Sequence, residues 1–280
     1  MPSGVLFLAI ETSSLRGALA LFRGRECLQE VLFPEGLVHG REIALRLREL
    51  LEGQALGPGD LEGIAVSSGP GSYTGTRVGV TCAKTLAWAL RLPVVEVSSL
   101  EVLARTALEL GRDRKPATVS GARGPRDVPE TGEVVPVLDA RRGFFYTARF
   151  GIAGRDGPAS RRSPDRLVRL DGLREVVAAS EAAGGALLCG DGADLALDEI
   201  EEQARPGLRR APRAADLPRA CALGRVALPA MEQATFDLER LHRLEPAYLR
   251  PSEPEIVLER QRRSVEPSSP GPQASGGERR

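Results

Sequence analysis

The chain has 280 residues, 42% of them hydrophobic, which suffices for one large domain or two ordinary ones and excludes overall disorder. Lys plus Arg and Asp plus Glu both number 38, so no net charge demands nucleic acid as a direct partner. Four scattered cysteines without a Cys-x-x-Cys pair and two histidines supply a His/Cys metal site poorly, and no apolar run approaches the roughly 18 residues of a membrane span.

Residues 5–10, Val-Leu-Phe-Leu-Ala-Ile, form an apolar run typical of a strand covered on both faces. The run is too short for a signal-peptide core and lacks a basic leader, which places the chain in the cytoplasm. A polar turn from Glu11 to Gly17 follows, then strands at 18–22 and near 29–33, so the chain opens as a three-strand meander. Residues 42–52 predict a helix, with Ile43, Ala44, Leu47, Leu50 and Leu51 on one stripe. Leu45, Leu37 and Val38 add more apolar surface than one buried face needs.

Ser67 to Gly79, SSGPGSYTGTRVG, follows a short strand at 64–66 and precedes a helix at 78–92. Its glycines suit tight turning or close approach by another group. It is not a Walker loop, because Gly71-x3-Gly75 is short by one residue and Thr76-Arg77 replaces Lys-Ser/Thr. Gly75, Gly79, Ala83 and Ala87 recur every four residues as a smooth helical ridge that suits close helix packing. The ridge fits either an internal contact with the 42–52 helix or a subunit interface built with Ile43, Leu47 and Leu50.

A strand at 93–97 and a helix capped by Ser98 or Ser99 and running to about 110 continue the strand–helix alternation of a parallel or mixed sheet. Residues 111–133 turn to Arg, Pro, Gly, Ser and Asp and read as a mobile insertion. An apolar strand at 134–138 then ends in Asp139, a polar turn closes at Gly143, and a strand follows at 144–150. This repeats the opening plan of strand, acid (Glu11), glycine-closed turn (Gly17) and strand. The repeat implies two related domains, at 1–110 and 134–251, with a disordered tail at 252–280. Residues 151–164 read as loop, 173–183 as helix, 186–189 as a strand leading to the turn Gly190-Asp191-Gly192, and 217–231 as helix. Apolar surroundings mark Cys82, Cys189 and Cys221 as buried free thiols rather than disulfide or zinc partners.

Four fragments, LAIETS (8–13), GPGSYTGTRVG (69–79), LDARRG (138–143) and EPAYLR (245–250), together resemble the bacterial TsaB (YeaZ) family over about residues 5–251. The resemblance implies an α/β actin-like, sugar-kinase/Hsp70 (ASKHA) fold of two related domains, each with a mixed central sheet. It implies a non-catalytic partner of the transferase TsaD. With TsaE, that pair installs the threonylcarbamoyl group beside the anticodon of tRNAs reading codons that begin with adenine. TsaD would be the direct partner, tRNA would be met through the complex, and a homodimer of the isolated chain stays open. Relatives carry Asp where this chain has Glu11. The metal-binding His-x-x-x-His pair of the catalytic paralogue falls on Ser99 and Leu103, and Leu103 ligates no metal, so no metal and no catalytic residue are expected. An M22-type metallopeptidase would need the same ion. The fold also implies a nucleotide cleft, vestigial or shared with the partner for ATP or ADP, offering Glu11, Thr12 and Ser13 from one side and Asp139, Gly143, Gly190 and Gly192 from the other. A stand-alone ATPase or kinase is the alternative, although no acceptor base is evident.

Overall fold

The structure is a computed structural model that describes residues 4–34, 36, 39–112, 131–153, 159–200 and 207–250. Most of the predicted insertion at 111–133, all of the predicted tail, and Leu37 and Val38 lie outside the described residues.

β1 (Leu6–Glu11), β2 (Ala18–Arg23) and β3 (Glu26–Leu32) form an antiparallel meander. After α1 (His39–Glu52), β4 (Gly63–Gly69) joins β1 in parallel. α2 (Tyr73–Leu90) then leads to β5 (Val94–Ser98), parallel to β4, and the sheet reads β3-β2-β1-β4-β5. α3 (Ser99–Arg112) follows.

The second sheet repeats the first. β6 (Glu133–Asp139) pairs antiparallel with β7 (Phe144–Thr147) and β8 (Phe150–Ile152). These pair antiparallel with β10 (Arg166–Arg169) and β9 (Ala159–Arg161), so each outer strand of the meander is broken in two. After α4 (Leu170–Ala182), β11 (Ala186–Cys189) joins β6 in parallel, and after α5 (Ala193–Ile200), β12 (Leu208–Arg210) joins β11 in parallel. α6 (Ala220–Met231) and α7 (Leu238–Arg243) end the described chain. Two mixed sheets with one strand order, β3-β2-β1-β4-β5 and β10-β7-β6-β11-β12, are the duplicated α/β plan of the actin-like, sugar-kinase class.

Strand periodicity explains the layers. In β1, Leu6, Leu8 and Ile10 face one core with Ile43, Leu50, Val80, Ala83 and Ala87 of α1 and α2. Phe7 and Ala9 face the other way, into a core closed by Ala220, Leu223, Ala227 and Met231 of α6. In β6, Val134 and Leu138 meet Leu100, Leu103 and Ala107 of α3, whereas Val135 and Val137 meet Val177 of α4 and Ala196 of α5. The helices therefore cross over: α3 covers the second sheet and α6 returns to cover the first. Gly224 of α6 lies directly on the Phe22 ring, which is stacked on Phe7 at 5.0 Å.

Ion pairs brace the crossing. Arg219 grips Glu30, Arg225 reaches Glu109 at 2.7 Å, Arg161 holds Glu101 at 3.1 Å, and the Ser98 hydroxyl donates to Asp165 at 2.6 Å.

Several sequence expectations change. Cys221 is not a free thiol, because α6 brings it to Cys27 in a disulfide; Cys82 and Cys189 are free. Residues 151–164 are not all loop, since they include β9. The helix predicted at 78–92 begins at Tyr73, where the Ser72 hydroxyl accepts the Gly75 N–H. Of the glycines between 67 and 79, only Gly69 takes a positive φ, +104°. Gly71 and Gly79 serve close approach, not turning.

Candidate functional site

The turn after β1 is roofed by the glycine stretch. Glu11 Oε1 accepts the Ser13 N–H at 2.7 Å and the Ser13 hydroxyl at 2.5 Å. The Thr12 hydroxyl donates to Gly75 O at 2.8 Å, and the Ser72 N–H donates to Ser13 O at 2.7 Å. A side-chain carbon at Gly71 would strike the Ser13 carbonyl, and one at Gly79 would strike the Thr12 hydroxyl. Missing side chains are thus what let the stretch seat on the turn. Glu11 and Thr12 are 0% exposed and Ser13 is 2% exposed. These three residues are covered by the chain's own glycine stretch.

Burial shapes the chemistry of Glu11. Among the described residues no cation pairs with it, and Oε2 has no hydrogen-bond partner. Desolvation pushes its pKa up, against the opposing effect of the Ser13 and Ser67 hydroxyls. The Ser67 hydroxyl is itself engaged with that of Ser99 at 2.8 Å.

The turn after β6 is more open. Asp139 accepts the Arg141 N–H at 2.7 Å, and its own N–H donates to Asp191 at 2.9 Å. Gly192 lies beside Asp139, and Gly190 beside Val137 and Leu103. Their amides are already used: Gly190 N–H donates to Asp216 at 3.1 Å and Gly192 N–H to Val137 O at 3.0 Å. Gly143 sits apart on the exposed tip of the β6–β7 turn with φ +73°. Burial and the neighbouring Asp139 charge push the Asp191 pKa up. Among the described residues, no group of three or more His, Cys, Asp and Glu is arranged to hold a metal. Ser99 and Leu103 are both interior: Ser99 is bonded to Ser67, and Leu103 is 0% exposed.

The small-residue ridge also turns inward. Gly75, Gly79, Ala83 and Ala87 are buried, as are Ile43 and Leu50, and Leu47 is half-buried against the same core. These seven residues pack on the chain's own core, Leu47 only in part. The internal neighbour expected from the sequence is the 42–52 helix; Gly79 instead faces Ile10 and Thr12 at the end of β1.

The outer face of α2 carries Tyr73, Arg77, Thr81, Thr85 and Trp88, all exposed, with Trp88 at 66%. Beside it, α1 exposes Leu45 at 44%. A C-terminal strap finishes this face. Ala247 N–H donates to Ser68 O at 2.7 Å, and Lys84 Nζ donates to the carbonyls of His242 and Leu244, each at 3.0 Å. Tyr248 stacks on Tyr73 at 4.5 Å, and Arg77 lies over Tyr73 at 4.7 Å while bonding both hydroxyls. The sequence carried the signal: 73, 77, 81, 85 and 88 recur at helical spacing on the side opposite the ridge.

A model of the TsaD family, tRNA N6-adenosine threonylcarbamoyltransferase, matches residues 37–253. The chain belongs to this family, on its TsaB (YeaZ) branch. The TsaB threonylcarbamoyladenosine biosynthesis protein of Bacillus subtilis is 35% identical over 163 residues, 58% of this chain and 62% of that protein. TsaB of Haemophilus influenzae is 36% identical over 104 residues, 37% of this chain and 43% of that protein. The matches thus span less than two thirds of either relative. A Pseudomonas aeruginosa crystal structure, described as similar to peptidase YeaZ, superposes with a TM-score of 0.66 at 23% identity, covering 88% of this chain and 100% of that one. That likeness establishes the TsaB-type fold. Glu11, the glycine stretch and the Tyr248 strap all lie within or beside the fragments that carried the resemblance.

Proposed function

We propose that the chain is a non-catalytic subunit that binds and organises a TsaD transferase for threonylcarbamoylation of the adenosine beside the anticodon. One observation supports the reading: the turn after β1 is covered by the chain's own glycine stretch, which leaves Glu11, Thr12 and Ser13 buried. Ser99 and Leu103 support it, because neither position offers an imidazole to a metal. The partner docks on the outer face of α1 and α2, where Leu45, Tyr73, Arg77 and Trp88 are exposed. An exposed Trp beside Tyr and Arg has the composition of an interface hot spot. TsaE joins through the complex, tRNA is met there, and a second copy of the chain is a competing occupant of the same face. Among the described residues no helix is long and apolar enough to cross a membrane, and the site of action is the cytoplasm, where tRNA is modified.

Reconstitution tests this. The chain alone should transfer nothing to tRNA and hydrolyse no ATP, and its addition to TsaD, TsaE, a threonylcarbamoyl donor and tRNA should raise product formation. Unchanged product formation would refute the role. The kinase alternative predicts heat on titration with Mg-ATP at millimolar concentration. The peptidase alternative predicts metal in the purified protein.

A further inference from the structure

Cys27 and Cys221 join β3, the edge strand of the first sheet, to the first turn of α6, with Cα atoms 6.3 Å apart across 194 residues of sequence. Both are half-buried at the rim of the core. Glu30 lies beside them: its Oε1 accepts the Cys221 N–H at 2.9 Å, and its Oε2 is held by Arg219. The carboxylate charge next to the sulfurs is therefore compensated by Arg219 and by the α6 N-terminus. The other two thiols are poor competitors. Burial pushes Cys82 up to about 11 and pushes Cys189 up as well.

We propose that Cys27 and Cys221 form a reversible thiol–disulfide pair that fastens α6 to β3 and exchanges with low-molecular-weight thiols and disulfides. In closing, the Cys221 thiolate attacks one sulfur of a small disulfide and expels a thiolate, leaving a mixed disulfide. The Cys27 thiolate then attacks the Cys221 sulfur and expels the second small thiolate. The two protein thiols give up their protons and are oxidised, and the small disulfide is reduced to two thiols; opening is the reverse. The bond closes a loop that contains α1 through β12, so its state sets how firmly the crossing helix is tied to the first sheet. This holds whether or not the chain partners TsaD.

The test uses the full chain equilibrated in glutathione buffers of varied oxidised-to-reduced ratio, then alkylated in denaturant and mapped by mass spectrometry, with melting measured in parallel. In oxidising buffer, Cys27 and Cys221 should lose label together while Cys82 and Cys189 keep it. The melting temperature should rise by roughly 5–10 °C, as a long cross-linked loop predicts. Reduced glutathione should reverse both effects. Cys27→Ser and Cys221→Ser should each abolish them, and Cys82→Ser should leave them intact. The proposal is overturned by full labelling at every ratio, by a persistent mixed disulfide with glutathione, by a bond that no reducing buffer opens in the folded protein, or by closure that leaves melting unchanged.

Discussion

Glu11 and Asp139 make the same bond in the two halves of the chain: each carboxylate accepts the backbone N–H of the residue two positions on, at 2.7 Å. The duplicated strand order thus extends to a duplicated turn. The environments differ. Glu11 is 0% exposed beneath the glycine stretch, whereas the Asp139 side chain is 21% exposed. The acid that starts each turn is structural in the first half, and its burial leaves one oxygen without a partner.

Glu11 should make stability depend on pH. Its folded pKa is raised above the ordinary 4.5, so its stabilising contribution is fully present below that value and is lost as pH rises through the folded pKa. Glu11→Gln keeps an acceptor for Ser13 and offers an amide in place of Oε2. The variant should therefore gain stability relative to the wild type as pH rises from 4 to 8, read from urea midpoints at each pH. A difference that does not change with pH would mean that Glu11 does not titrate there.

Gly79→Ala should destabilise by about 2–3 kcal/mol, because the added carbon strikes the Thr12 hydroxyl and displaces it from Gly75 O. Urea denaturation measures this. A bulkier residue at 79 would unfold the protein, so position 79 cannot probe an interface.

Glu30→Ala should cost about 2 kcal/mol. It leaves Arg219 without its carboxylate and strips the α6 N-terminus of the acceptor for Cys221 N–H. The Arg219 pKa, raised chiefly by its hydrogen bond to Glu30, should fall back toward its ordinary value. The loss should appear equally in reduced protein, which separates it from the disulfide.

Trp88→Glu should leave melting unchanged, since Trp88 is 66% exposed. It should weaken binding to TsaD at least about 30-fold, the effect of losing a hot spot of about 2 kcal/mol. Surface-immobilised binding kinetics would measure it, and unaltered affinity would remove Trp88 from the interface.

Tyr248→Ala should cost about 1 kcal/mol by removing the ring stacked on Tyr73. Hydrogen exchange should quicken at the Ala247 amide, which the strap holds on Ser68. Unchanged exchange would show that the strap stands without its aromatic anchor.

The sequence alone determined the class of fold. Continuous apolar runs at 5–10 and 134–138 specify strands covered on both faces, and the acid–turn–glycine repeat specifies the duplication, because strand burial and turn chemistry are local properties of the chain. Short strands such as β9, β10 and β12 were not legible, since each carries arginine and breaks the apolar run that made the equally short β11 readable. Tertiary structure alone decided which face of α2 meets the sheet. Gly75, Gly79, Ala83 and Ala87 suit any close neighbour, and only the sheet's position shows that the neighbour is the chain itself. The same holds for Glu11 and for Cys27 with Cys221. Whether a carboxylate meets water or a thiol meets a partner depends on segments far apart in sequence: the glycine stretch folds over Glu11, and the return of α6 brings Cys221 to Cys27.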